Sequence, residues 1–124
     1  MEFQDLTEKI IACVYRVYNT MGAGFLESVY EKCLVIELGK TGLQVETQKA
    51  IQVSYDGELV GEFVADLIIN DTIILELKAI KQFAKAHEVQ LVNYLVATGK
   101  PVGLLINFGE DKIEIKRKLR VLKN

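Results

Sequence analysis

Two apolar, β-branched runs flank the polar dipeptide Asn70-Asp71, and the stretch Val64–Lys78 reads as a strand, a tight turn and a second strand. Asp66, Glu76 and Lys78 interrupt runs that are otherwise hydrophobic. Charged side chains are seldom buried without partners, because desolvating them is costly. A hairpin apolar enough to sit inside a sheet therefore has to supply a reason for two carboxylates and an ammonium. One reason is a metal ion held by both acids. The other is a structural salt bridge, in which Lys78 neutralises one carboxylate and leaves the second unpaired.

The turn length decides whether the acids meet. Opposed residues of an antiparallel pair share a face. A two-residue link at Asn70-Asp71 sets Asp66 against Leu75 and sends Glu76 to the other face. A three-residue link including Thr72 sets Asp66 against Glu76, with Lys78 on the same side. The odd register is expected, since it alone lets both carboxylates reach one ion.

The remaining periodicities place this hairpin in an α/β chain. Apolar positions Leu6, Ile10, Cys13, Val14, Val17 and Tyr18 follow the helical period over residues 5–20, with Asp5 and Glu8 spaced as a capping box. A second helix is expected from Phe25 to Lys40, after the Gly22-Ala23-Gly24 link; Glu27 and Tyr30 share one of its faces. From Leu43 the period becomes two, with Val45, Thr47, Ile51, Val53 and Tyr55 in one strand up to a hairpin signal at Asp56-Gly57. Leu59 to Ile69 and Ile73 to Ile80 complete a three-strand meander. A third helix spans 82–98, stopped by Gly99 with Pro101 beyond, and carries His87, Gln90 and Tyr94 on one side. Val102 to Phe108 and Lys112 to Lys116 are further strands, and the basic tail reads as a short helix. The order is thus ααβββαββ around a mixed central sheet, and the length of 124 residues suits a single domain over 1–124.

Composition narrows the function classes. The net charge is −2, yet residues 111–124 hold six basic against two acidic side chains, leaving an acidic remainder. That basic end is either a phosphate contact or a solvated face. No apolar run reaches the ~20 residues of a membrane span. The first residues lack the basic-then-apolar pattern of a secretion signal, so a cytoplasmic location is expected. Cys13 and Cys33 fall in helical apolar patterns and read as reduced, buried hydrophobes.

Carboxylates clustered with a lysine suit phosphodiester hydrolysis. Mg²⁺ (or Mn²⁺) bound by carboxylate oxygens keeps waters for exchange and neutralises charge at phosphorus. Asp66 and Glu76 are the expected ligands, with the carbonyl of Leu77 as a third oxygen. Lys78 is expected to orient or help deprotonate the attacking water. Glu27 adds a further acid if its helix packs at the end of the sheet.

The order Glu27, Asp66, Glu76-Leu77-Lys78, Gln90 resembles the PD-(D/E)XK nuclease superfamily. More narrowly, Gly24-Phe25-Leu26-Glu27-Ser28-Val29-Tyr30 is similar to the GxxExxY proteins, small prokaryotic domains assigned to it. Val64-Ala65-Asp66-Leu67, Glu76-Leu77-Lys78-Ala79, the segment His87 to Leu95 and the segment Gly103 to Gly109 extend the likeness over about residues 5–118. Ala65 stands where the superfamily often has proline. The resemblance implies a restriction-endonuclease-like fold, Asp66 and Glu76 as metal ligands, Lys78 as catalytic lysine and Glu27 as supporting acid. It implies that Gln90 helps arrange the site, Gln90 and Tyr94 matching a QxxxY element of the superfamily; His87 and Tyr30 are candidate supporting neighbours by their helix faces. The triad Asp66, Glu76 and Lys78 with Glu27 and Gln90 makes nucleic acid, DNA before RNA, the expected substrate; the small size and acidic body argue for a homo-oligomer or accessory protein to widen the grip, and no membrane partner is expected. The rival expectation is a non-catalytic nucleic-acid-binding or assembly module that keeps the nuclease fold.

Overall fold

The computed structural model describes residues 3–120. Its elements are α1 (Gln4–Met21), α2 (Glu27–Lys40), β1 (Val45–Tyr55), β2 (Glu58–Ile69), β3 (Ile73–Lys78), α3 (Lys85–Thr98), β4 (Val102–Phe108) and β5 (Ile113–Leu119). The strands form one sheet in sequence order, β1-β2-β3-β4-β5. Neighbours are antiparallel except β3 and β4, which run parallel and are joined through α3.

Two apolar layers follow from this topology. Ile73, Leu75 and Leu77 of β3 join Leu67, Ile69, Leu104 and Ile106 against α1 and α2, where Ile10, Cys13, Val14 and Leu34 are buried. Ile74 faces the other way, with Ile68 and Leu105, against Leu91 and Leu95 of α3. Covered on both faces, β3 and β4 are near-continuously apolar rather than alternating. The approach of α3 depends on Gly103, because a Cβ there would lie 2.7 Å from Leu91 Cδ1.

The odd register is present. Ile69 pairs with Ile73, Ile68 with Ile74 and Leu67 with Leu75, so three residues link the strands. Asn70 (φ 50°) and Asp71 (φ 53°) take left-handed conformations, and the Thr72 N–H donates to the Ile69 carbonyl at 2.9 Å. Asn and Asp tolerate this region better than most residues. The link is anchored outside itself: Asn70 exchanges two 2.8 Å bonds with the Gln44 backbone, and Lys100 Nζ donates to the Asp71 carboxylate at 2.9 Å.

Three expectations are corrected. Residue Phe3, not Asp5, precedes α1, and no side chain caps it; Asp5 lies in the first turn, where its charge still suits the helix dipole. Helix α3 begins at Lys85 rather than 82: Ala84 before it is extended, and its N–H is taken by the His87 ring. The basic tail is strand up to Leu119, not helix. Every residue from Ile113 to Leu119 has a partner on β4, with Ile113 and Ile115 on the core side. Lys116 and Lys118, on the other side, both contact the Glu88 carboxylate of α3, at 3.4 and 2.6 Å. Residues 121–124 lie outside the described residues.

The packing at Gly103 gives a direct test. Gly103→Ala should lower unfolding free energy by about 1–3 kcal/mol through overpacking against Leu91. Gly61→Ala, whose added Cβ finds Val53 Cβ only at 4.0 Å, should change it far less. Urea denaturation of both variants measures the contrast.

Candidate active site

The hydrophobic ladder of β2 and β3 stops at Leu67–Leu75, and the next opposed pair is Asp66 and Glu76. Here side chains take over from backbone. The Leu77 N–H donates to Asp66 Oδ2 at 2.8 Å, and the Asp66 N–H reaches Glu76 Oε1 at 3.4 Å. The strands part, and carboxylate oxygens satisfy amide groups that a continued ladder would have paired. Partial positive charge on an N–H is good company for a carboxylate.

On its other edge Asp66 meets an irregularity. β1 and β2 pair at Thr47–Leu67 and at Lys49–Ala65, while Gln48, opposite Asp66, is left-handed with φ 49°. The sheet changes face at this point. Ile51 and Ala65 pack on the α3 side, whereas Leu67 and Val45 pack on the α1/α2 side. The Gln48 side chain donates to Glu31 Oε1 of α2 at 2.6 Å. Asp66 therefore sits where β2 has lost regular pairing on both edges.

Glu76 is only 8% exposed. Burial is the main cause that pushes its carboxyl up to about 8, and the nearby charge of Asp66 adds to it. The Asp66 N–H and the Lys78 ammonium pull in the opposite direction without restoring an ordinary value. At neutral pH the pair thus keeps a proton, as expected for two acids that cannot both ionise cheaply. Lys78 ends β3 on the same face.

Glu27, the first residue of α2, faces this centre across the gap. Burial raises its pKa, Asp66 raises it further, and Lys78 lowers it. The half-buried Tyr94 reaches it from α3. Its ring stacks on Phe63 of β2 at 3.5 Å and 11°. Burial lifts the Tyr94 hydroxyl above its usual range, the charges of Glu76 and Asp66 lift it further, and a hydrogen bond with Gln90 moderates this. Gln90 itself is exposed and approaches the acids by way of Tyr94.

Two expected neighbours have other employment. His87 Nδ1 accepts the Ala84 N–H at 3.0 Å, so the ring closes the N-terminus of α3 in place of a Ser or Asp cap. Tyr30 is fully buried; its hydroxyl donates to the Gly22 carbonyl at 2.6 Å and accepts the Phe25 N–H at 3.3 Å. Its ring stacks on Phe108 at 4.3 Å. Tyr30 thus shapes the loop before Glu27 and does not face the acids. The Leu77 side chain is in the core, and only its backbone borders the site.

The donor set fits a hard divalent cation. Asp66 and Glu76 converge at the end of the hairpin, and the Glu76 anion is disfavoured by burial and by the charge of Asp66, which a cation would relieve. Among the described residues no three Asp, Glu, His or Cys side chains stand ready as a closed cage. Glu27 therefore flanks the pair rather than completing it. A Mg²⁺-type site that keeps several waters needs few protein ligands.

The raised pKa of Glu76 makes stability pH-dependent. Between its ordinary value of 4.5 and about 8 the folded state holds a proton that the unfolded chain releases. That stabilisation is complete below about 4.5 and lost as pH rises through about 8. Wild type should therefore lose stability relative to Glu76→Gln across this window, by several kcal/mol, in denaturant titrations without divalent ions. Mn²⁺ affinity, measured by calorimetry, should climb over the same range, since binding displaces the proton.

Comparison with known proteins agrees with this architecture. No curated protein matches the chain. The solved structure titled "Crystal structure of SSO0001" superposes with a TM-score of 0.62 at 20% identity, covering 98% of this chain and 61% of that one. This chain thus spans less than two thirds of that protein's length, and the likeness is one of fold. An alkaline exonuclease (LHK-Exo) from Laribacter hongkongensis aligns at 12% identity and a TM-score of 0.43, over 87% of this chain and 76% of its own. No helix among the described residues is long and apolar enough to cross a membrane. The sequence model of the PD-(D/E)XK nuclease superfamily matches residues 4–118, almost the whole length, and the chain belongs to that superfamily.

Proposed function

We propose that this protein is a metal-dependent nuclease that hydrolyses phosphodiester bonds of nucleic acid, DNA in preference to RNA. The observation that carries the reading is the meeting of Asp66, Glu76 and Lys78 on one face through the three-residue hairpin link. Within the superfamily, the pattern Gly24 to Tyr30 supports a GxxExxY-type member acting in the cytoplasm as a single nuclease-like unit.

Asp66, Glu76 and the Leu77 carbonyl would hold Mg²⁺ or Mn²⁺, which supplies charge neutralisation at phosphorus and an activated water. Asp66 is held by the Leu77 N–H, so its carboxylate is oriented before any ligand arrives. Lys78, beside both Glu27 and Glu76, holds the attacking water and offsets negative charge as it grows on the phosphate. Burial and the charge of Asp66 raise the Glu27 pKa, so its ionised form is disfavoured beside the acids while Lys78 favours it. Tyr94 and Gln90 border the acids from α3, and their hydrogen bond fixes where the hydroxyl points.

The test is cleavage of single-stranded, duplex and branched DNA, and of RNA, in Mg²⁺ or Mn²⁺. Asp66→Ala and Glu76→Ala should abolish both turnover and Mn²⁺ binding. Lys78→Ala should keep Mn²⁺ binding and lose about 10²–10⁴-fold in rate, the usual worth of a positioned proton-transfer group. Cleavage that survives in Asp66→Ala would remove the assignment. Salt-dependent DNA binding without turnover would favour a binding module instead. A stable oligomer without DNA binding would favour an assembly role.

A further inference from the structure

Asn107 has no solvent exposure and lies outside the cluster of acids. It stands on β4 in register with Lys78, the last residue of β3. Its Oδ1 accepts the Ile80 N–H at 2.9 Å, and its Nδ2 donates to the Ile80 carbonyl at 2.8 Å. The same Nδ2 lies 3.3 Å from Glu114 Oε1 on β5. One buried amide thus continues the β3–β4 ladder past the end of the strand and grips both polar groups of one peptide residue. Without it, Ile80 would need other partners and the chain leaving Lys78 would take another course. Ile80 and Lys81 also line a cleft of about 360 Å³ with Phe25 and Leu26, so the clamp fixes a wall between the lysine and the loop before Glu27.

We propose that Asn107 is a positioning residue for the reaction: it holds the segment Ala79–Lys81 so that the Lys78 side chain is presented to the phosphate. This rests on the nuclease reading above. The amide's orientation is specific, since Nδ2 faces two acceptors. Asn107→Asp keeps the acceptor for the Ile80 N–H but sets an oxygen against the Ile80 carbonyl and the Glu114 carboxylate, at nearly constant volume.

The experiment compares wild type, Asn107→Asp and Asn107→Ala, with Glu114→Gln as a control that retains an acceptor. Melting temperature and Mn²⁺ affinity are measured beside kcat and KM on the oligonucleotide that wild type cleaves. In folded Asn107 variants kcat should fall about 10–100-fold, the usual effect of losing a partner that orients a site. KM and Mn²⁺ affinity should stay within threefold, and Glu114→Gln should stay near wild type. If Asn107→Asp does not fold, Asn107→Ala decides, since it buries no charge. An unchanged kcat overturns the proposal, as does Mn²⁺ affinity that falls in step with kcat. Should wild type cleave nothing, the nuclease reading falls, and amide exchange decides the clamp alone: an Ile80 N–H protected in wild type and released in Asn107→Ala upholds it, and an unprotected one sinks it.

Discussion

A carboxylate can enter the end of a hydrophobic sheet only if the backbone there gives up amide groups to hold it. In this chain Asp66 meets that condition by taking the Leu77 N–H, which becomes available because the β2–β3 ladder ends one residue earlier. The exchange depends on register. A link one residue shorter would turn Glu76 toward α1 and α2, into a layer of Ile and Leu where an acid has no partner. The left-handed Asn70 and Asp71, the Gln44 backbone and Lys100 together hold the link at three residues. The site is thus set by a turn some distance from it.

Proximity of the two acids has an electrostatic consequence. A buried Glu76 beside Asp66 binds a proton near pH 8, and the Glu27 pKa is raised by the same two causes, burial first and Asp66 second. The centre resists a full set of negative charges. Lys78 offsets part of this, and the Tyr94 hydroxyl, itself held from ionising by burial and by the acids, adds no further charge.

Much of this was legible in the sequence. The charges in the Val64–Lys78 hairpin stood out against β-branched neighbours, and the register followed once both acids were required to reach one ion. Element order was legible too, because periods of 3.6 and 2 alternate cleanly along the chain. The first misses share a cause: each hangs on a backbone partner that residue type and periodicity do not reveal. His87 looks like a site histidine until Ala84 offers its N–H. Tyr30 shares a helix face with Glu27, yet its hydroxyl is taken by Gly22 and Phe25. Asn107 reads only as one polar residue in an apolar strand, because its partner Ile80 lies 27 positions away. The left-handed Gln48 has no signal, since glutamine is not a residue that favours that conformation. The length of β5 was missed because its lysines mask a period-two pattern that Ile113 and Ile115 had already begun.

The pairing of Glu88 with Lys116 and Lys118 changes what the basic end of the chain means. Lysines on a nucleic-acid-binding surface draw much of their affinity from small ions set free when phosphates take their place. Here the counterion is a tethered carboxylate that cannot diffuse away. A phosphate arriving at β5 would exchange one anion for another with little entropy released, so this face would attract nucleic acid less than its charge suggests. The helix that brings Tyr94 toward the acids also carries Glu88, and so offsets part of the positive charge on this face.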